Sequence, residues 1–225
     1  MKTFNYHTQY GSPETILAWF RKAKKAGIET TVNITVTRKN LFELYETISE
    51  GLLAGADTLL MNRFFPRGRG LTYANELTLS IEQILEMLDT AEEVLRTANR
   101  YGSVGTELPK CILDASRYKN LRVGTRCSAA LGFFVVGPEG NIRVCNHSQI
   151  RLEHVSEIEK VKDNPYWKKY VFKEYLPIVC GNCPEMLNCD GGCREAAHIV
   201  GGEIDSVDPV LSGFKGIPYH DLHKA

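Results

Sequence analysis

Four of the seven cysteines in this chain crowd into Cys180-Gly-Asn-Cys183-Pro-Glu-Met-Leu-Asn-Cys189-Asp-Gly-Gly-Cys193, and two more, Cys127 and Cys145, bracket a hairpin pattern just upstream. A CxxC pair lets two sulfurs reach one metal centre from a tight turn, and Gly181 and Gly191-Gly192 permit the backbone angles that such wrapping needs. The first ten residues carry no apolar signal segment, and the longest near-apolar run, Ala129 to Gly137, is too short to span a bilayer. The chain is therefore expected to be cytoplasmic, with no membrane partner. In a reducing compartment an odd number of cysteines reads as metal ligation rather than a disulfide scaffold. Lys plus Arg equals Asp plus Glu at 27 each, so net charge gives no reason to expect a nucleic-acid partner.

The 225 residues divide by texture. Ser12-Pro13-Glu14 reads as an N-cap with proline at the first helical position, and Ile16, Phe20 and Ala23 recur at helical spacing. Glu29 to Val36 alternates Val32, Ile34 and Val36 against Thr31, Asn33 and Thr35, the two-residue period of a strand. Asn40 is placed to cap a helix running to about Gly55, and Ala56 to Phe65 reads as a second strand, broken at Pro66-Arg-Gly-Arg-Gly70. Ser80-Ile-Glu-Gln83 is a capping box for a long helix with Leu85, Leu88, Ala91 and Leu95 on one face. This alternation implies parallel strands with crossover helices. A sheet of that kind is normally covered on both faces, so two such strands read as part of a barrel. From about Leu108 the chain turns to cysteines and short elements. The expected class is α/β, with a partial TIM-like barrel half over residues 1–105 and a small cysteine-rich α+β domain over 106–225. In the second part Phe133 to Val136, Gly137-Pro-Glu-Gly140 and Asn141 to Val144 read as a β-hairpin, and Asn164-Pro165 starts a short aromatic helix.

The cysteines admit two arrangements. One is a single structural zinc on Cys180, Cys183, Cys189 and Cys193, with Cys111, Cys127 and Cys145 as buried thiols. The other follows compact ferredoxin runs, in which the last cysteine serves a different cluster from its sequence neighbours. Cys193 then joins Cys127 and Cys145, leaving Cys180, Cys183 and Cys189 together.

Cys127, twelve residues, Gly140, four residues and Cys145, followed by CxxC-x5-C-x3-C ending in Asp190-Gly-Gly-Cys193, resemble the SPASM domain of radical SAM enzymes that mature peptides and proteins. The resemblance implies two auxiliary [4Fe-4S] clusters, with Cys127, Cys145 and Cys193 on the first and Cys180, Cys183 and Cys189 on the second. Cys111, sixteen positions before Cys127, reads either as the first cluster's fourth thiolate or as a structural thiol. The family's usual seventh cysteine is missing, since Leu211 stands where it is expected after Asp208-Pro209. The second cluster is thus expected to have an open iron or a ligand from Asp205, Asp208 or His198.

Upstream, Ala26-Gly27-Ile28 leading into Val32-Asn33, and Gly55-Ala56-Asp57 leading to Phe64-Phe65-Pro66, resemble the last part of a radical SAM barrel. On that resemblance Asn33, Asn62 and Phe65 border the S-adenosylmethionine site if the rest of the barrel is supplied. The CxxxCxxC motif that holds the radical-generating cluster is absent from the sequence. The chain thus resembles the C-terminal portion of a longer enzyme, and a polypeptide carrying the N-terminal half is an expected partner, alongside a peptide or protein substrate. No catalytic residue is assigned. The alternative is a non-catalytic module, binding zinc or one cluster, that docks on a partner protein. His147 is positioned in sequence to tune the potential of a cluster near Cys145; His220 and His223 carry no assignment.

Overall fold

The structure, a computed structural model, describes residues 3–9 and 11–212. It divides into two compact units. One takes the chain up to Thr106 together with Leu113–Gly124; the other takes Glu107–Ile112 and the described residues from Thr125 onward. The chain therefore passes between the units three times rather than at a single cut near residue 105.

The first unit is built on a four-stranded parallel sheet in the order β1 (Thr31–Val36), β2 (Thr58–Arg63), β3 (Tyr101–Val104), β4 (Leu121–Val123). Helix α1 (Pro13–Lys25) starts where Ser12 Oγ accepts the Thr15 amide. Helix α2 (Leu44–Leu53) links β1 and β2, and α3 (Ile81–Ala98) starts at the reciprocal Ser80–Gln83 capping box. Asn40 does not cap α2. Its carboxamide closes the turn after β1 instead, accepting from Thr37 N at 2.7 Å and donating to Thr35 O at 3.0 Å. One sheet face carries Val32, Ile34, Val36, Leu59 and Met61, buried with Leu44, Ile48, Leu88, Ala91 and Leu95 of α2 and α3.

Two strands escape the sequence pattern, and each has a local cause. In β3, Gly102 lets the backbone approach its neighbours; a Cβ there would lie 2.9 Å from Leu59 Cβ and 3.0 Å from Leu95 Cδ1. Strand β4 has only three residues, and the Glu92 carboxylate of α3 holds its start by accepting the amides of Lys119, Asn120 and Leu121.

The second unit has little regular structure. Strands β5 (Val135–Val136) and β6 (Ile142–Arg143) form an antiparallel pair around Gly137 to Gly140, shorter than the expected hairpin. Helix α4 (Pro165–Val171) starts at Asn164, whose Oδ1 accepts the Tyr166 amide, and α5 (Arg194–Gly201) follows Cys193 directly. Its core gathers Ala129, Val144, Cys145, Tyr170, Tyr175 and Ile204, with Cys127 and Trp167 packed against it. Among the described residues no helix is long and apolar enough to cross a membrane.

Candidate metal centre

All seven cysteines lie in the second unit, and none is disulfide-bonded. Their surroundings sort them into two groups. Burial pushes the Cys127 thiol well above its ordinary range, Glu107 adds to the push, and the sulfurs of Cys193 and Cys145 add further. Burial raises Cys145 to about 11, with the Glu195 carboxylate next in effect. The other group forms around Cys111, raised to about 12 by burial and then by Cys189, Cys180 and Cys183. Cys180 is likewise raised by burial, then by Cys189 and Cys183. Cys111, read from its spacing either as a partner of Cys127 or as a structural thiol, thus has the sulfurs of the CxxC run as the ones that bear on it.

The run is shaped by a buried polar frame. Asp190 is fully buried; its Oδ2 accepts from Cys127 N at 2.7 Å and its Oδ1 from Lys173 Nζ at 2.5 Å. The Asp190 amide donates to Thr125 O at 3.0 Å, and Thr125 Oγ1 donates to Asn188 O at 2.8 Å. Three of these bonds tie residues 125–127 to residues 188–190, and the fourth anchors Asp190 to Lys173. Arg194, also fully buried, donates to the carbonyls of Tyr175, Gly191, Gly192, Ile204 and Ser206, closing the loop behind the cysteines.

Asp208 is buried too, but its oxygens accept from Cys193 N at 2.7 Å and Val210 N at 2.9 Å. It holds a backbone turn. Gly192, at φ +92°, leaves the space that this carboxylate fills, since a Cβ there would stand 2.3 Å from Asp208 Oδ2. His198 is engaged with the Tyr166 hydroxyl at 2.9 Å, and Asp205 is exposed. Glu195 accepts from both Tyr166 and Tyr170 at 2.7 Å through Oε1, while its buried Oε2 has no hydrogen-bond partner.

Backbone amides point at the sulfurs. Lys110 N and Gly191 N donate to Cys189 Sγ at 3.4 and 3.3 Å. The amides of His147 and Ser148 act on the Cys145 thiol and oppose its upward shift. Such donors favour the thiolate, the form that ligates metal, and N–H to sulfur bonds tune iron-sulfur centres. The donor set thus fits a sulfur-ligated cluster. Among the described residues, no three His, Cys, Asp or Glu side chains converge on a point where a single metal ion would sit.

In the first unit, Asn33 on β1 and Asn62 on β2 come together on the sheet face opposite the helices. Asn62 Nδ2 donates to Asn33 Oδ1 at 3.3 Å, and Thr106 Oγ1 donates to Asn62 Oδ1 at 3.3 Å. Phe65 follows the end of β2 and is half-buried. This face is polar, with Thr31 and Thr58 hydroxyls 2.8 Å apart, and a cavity of about 760 Å³ opens there beside Ser103, Tyr101 and Arg122. Beside β1 lies a second cavity of about 350 Å³, lined by Phe4, Ile16, Phe20, Val32 and Asn33.

Comparison with known proteins finds distant relatives. The chain is 23% identical over 206 residues to an AdoMet-dependent heme synthase from Oleidesulfovibrio alaskensis, the match covering 84% of this chain and 52% of that protein. It is 24% identical over 202 residues to a PqqA peptide cyclase from Xanthomonas campestris pv. campestris (86% and 52%) and 26% identical over 199 residues to one from Granulibacter bethesdensis (85% and 52%). The chain spans about half the length of the curated relatives it matches. No protein-family model matches it, and no solved structure does.

Proposed function

We propose that this chain is the cluster-binding portion of a radical SAM/SPASM enzyme that modifies a ribosomally made peptide or protein. The observation that supports this reading is which sulfurs bear on which thiol: Cys193 and Cys145 on Cys127, but Cys189, Cys180 and Cys183 on Cys111. One zinc on the four-cysteine run would need Cys193 with its sequence neighbours. The AdoMet dependence in one relative's name and the peptide cyclisation in the other's agree with the motif resemblance.

In this reading the second unit is the SPASM domain, and each group holds an auxiliary [4Fe-4S] cluster. Bound there, the clusters conduct electrons or help hold the substrate. Asp190 and Arg194 keep the loop in register, the backbone amides stabilise the thiolates, and the aromatic core around Tyr170 keeps water from the first group. The parallel sheet is the C-terminal half of a partial barrel whose polar face, with Asn33, Asn62 and Phe65, borders S-adenosylmethionine once the other half is supplied. The half carrying CxxxCxxC adds strands at the unpaired edge of β1, along the cavity lined by Phe4, Ile16 and Phe20, because unpaired strand edges take up further strands.

The test is anaerobic reconstitution followed by EPR of single-cysteine variants. Cys193→Ala is expected to remove one reduced-cluster signal and Cys183→Ala to alter another. Loss of the same signal in both variants defeats the ligand division.

A further inference from the structure

Resting on the cluster reading above, we infer that Cys111 completes the second thiolate set, standing in for the cysteine that Leu211 replaces. The placement is geometric. Residues Lys110–Ile112 form a single helical turn, and the turn is fastened to the CxxC-x5-C loop at two points. Lys110 N donates to Cys189 Sγ at 3.4 Å, and Lys110 Nζ pairs with Glu185 Oε2 at 2.5 Å. Residue 110 is thereby held against the loop by both its main chain and its side chain. The next residue is Cys111, half-buried at the same place. Burial raises its thiol, and the charges of Cys189, Cys180 and Cys183 add to the rise.

Two of the three other proposed sources of a fourth ligand are engaged elsewhere, Asp208 on the amides of Cys193 and Val210 and His198 on Tyr166, and the third, Asp205, is exposed. A cysteine from ahead of the CxxC run, seventy-eight positions before Cys189, takes the part of the family's final cysteine, which follows that run. Each of the four irons of a [4Fe-4S] cubane takes one ligand beyond its core sulfides, so four cysteines would close the second cluster. The consequence falls on the first group. Cys127, Cys145 and Cys193 would then supply three thiolates to the other cluster, since no further cysteine of the chain is left for it.

Two experiments on the full chain test this. In the reduced, metal-free chain, dibromobimane joins neighbouring thiols, and peptide mapping identifies the pairs. Linkage of Cys111 to Cys180, Cys183 or Cys189 is expected; linkage to Cys127, Cys145 or Cys193, or none, overturns the placement whether or not clusters bind. In the reconstituted chain, Cys111→Ala is expected to alter the EPR signal that Cys183→Ala alters and to leave the Cys193-dependent signal at full intensity. Circular dichroism checks that the variant is folded. A changed Cys193-dependent signal, or two unchanged signals, refutes the role of Cys111 while leaving two clusters in place. A wild-type chain that takes up no iron refutes the cluster reading itself.

Discussion

Replacing Asp190 with alanine should destabilise the second unit more than any other loss of a single carboxylate. The side chain is fully buried and accepts two bonds, one from the Cys127 amide at 2.7 Å and one from the Lys173 ammonium at 2.5 Å. A hydrogen bond involving a charged group contributes roughly 1.5–3 kcal/mol net, and a buried donor left without an acceptor costs about 1–3 kcal/mol. Lys173 keeps 27% of its side chain exposed and recovers hydration when its partner is lost, so its share is discounted. The sum is roughly 2–4 kcal/mol for Asp190→Ala. Asp190→Asn, which keeps one acceptor but loses the charge, should cost about half as much. The chain has two tryptophans, Trp19 in the first unit and Trp167 against the core of the second, so Trp19→Phe leaves a fluorescence probe specific to the unit in question. With a urea dependence of about 1.5 kcal/mol per molar, the Asp190→Ala midpoint should fall by roughly 2 M in the reduced, metal-free chain. A shift corresponding to less than about 0.5 kcal/mol, the range of ordinary surface changes, would refute the view that this carboxylate anchors Cys127.

Gly192→Ala should prevent the loop from closing, because φ is +92° and the added Cβ would meet Asp208 Oδ2 at 2.3 Å; the check is loss of the cooperative Trp167 transition. Gly140→Ala, at φ +81° with the His154 ring 2.1 Å from the new Cβ, should disrupt the β5–β6 turn in the same assay, whereas Gly202→Ala, with open space around it, should cost only the strain of its positive φ. The metal-free chain should lose stability as pH rises above 9. Cys111 and Cys145 have folded values raised to about 12 and about 11 from 9.0, so the native state holds protons that the unfolded chain releases. Their contribution is complete below pH 9 and declines as pH climbs toward those values, by at most about 1.4 kcal/mol per thiol per pH unit, less for the partly exposed Cys111. Urea midpoints at pH 8 and pH 10 should show the decline, and an unchanged midpoint contradicts it.

What could be read from the sequence was local. The Ser80–Gln83 capping box and the alternation over Thr31–Val36 declare themselves within a few residues, since a cap needs only its own first turn and a strand only its own period. Strands β3 and β4 did not, because Gly102 permits close approach to Leu59 and Leu95, and Leu121 is held by a carboxylate twenty-nine positions away. Asn40 has the right residue type for a cap but finds Thr37 and Thr35 before any helix amide. The spacing of Cys111 read either as a partner of Cys127 or as a structural thiol, and only the hydrogen bond from Lys110 N to Cys189 Sγ ties its turn to the CxxC run. Asp190 also went unnoticed. Its place beside Gly191-Gly192 hinted at a turn, yet its role rests on Cys127 and Lys173, which only the folded loop brings near.

The central claim is that one small unit of this chain holds two sulfur-ligated clusters. Iron and acid-labile sulfide counted per chain after anaerobic reconstitution test it most directly. Two [4Fe-4S] centres predict about eight of each. About four irons or fewer, or a colourless chain carrying one zinc, would contradict the account.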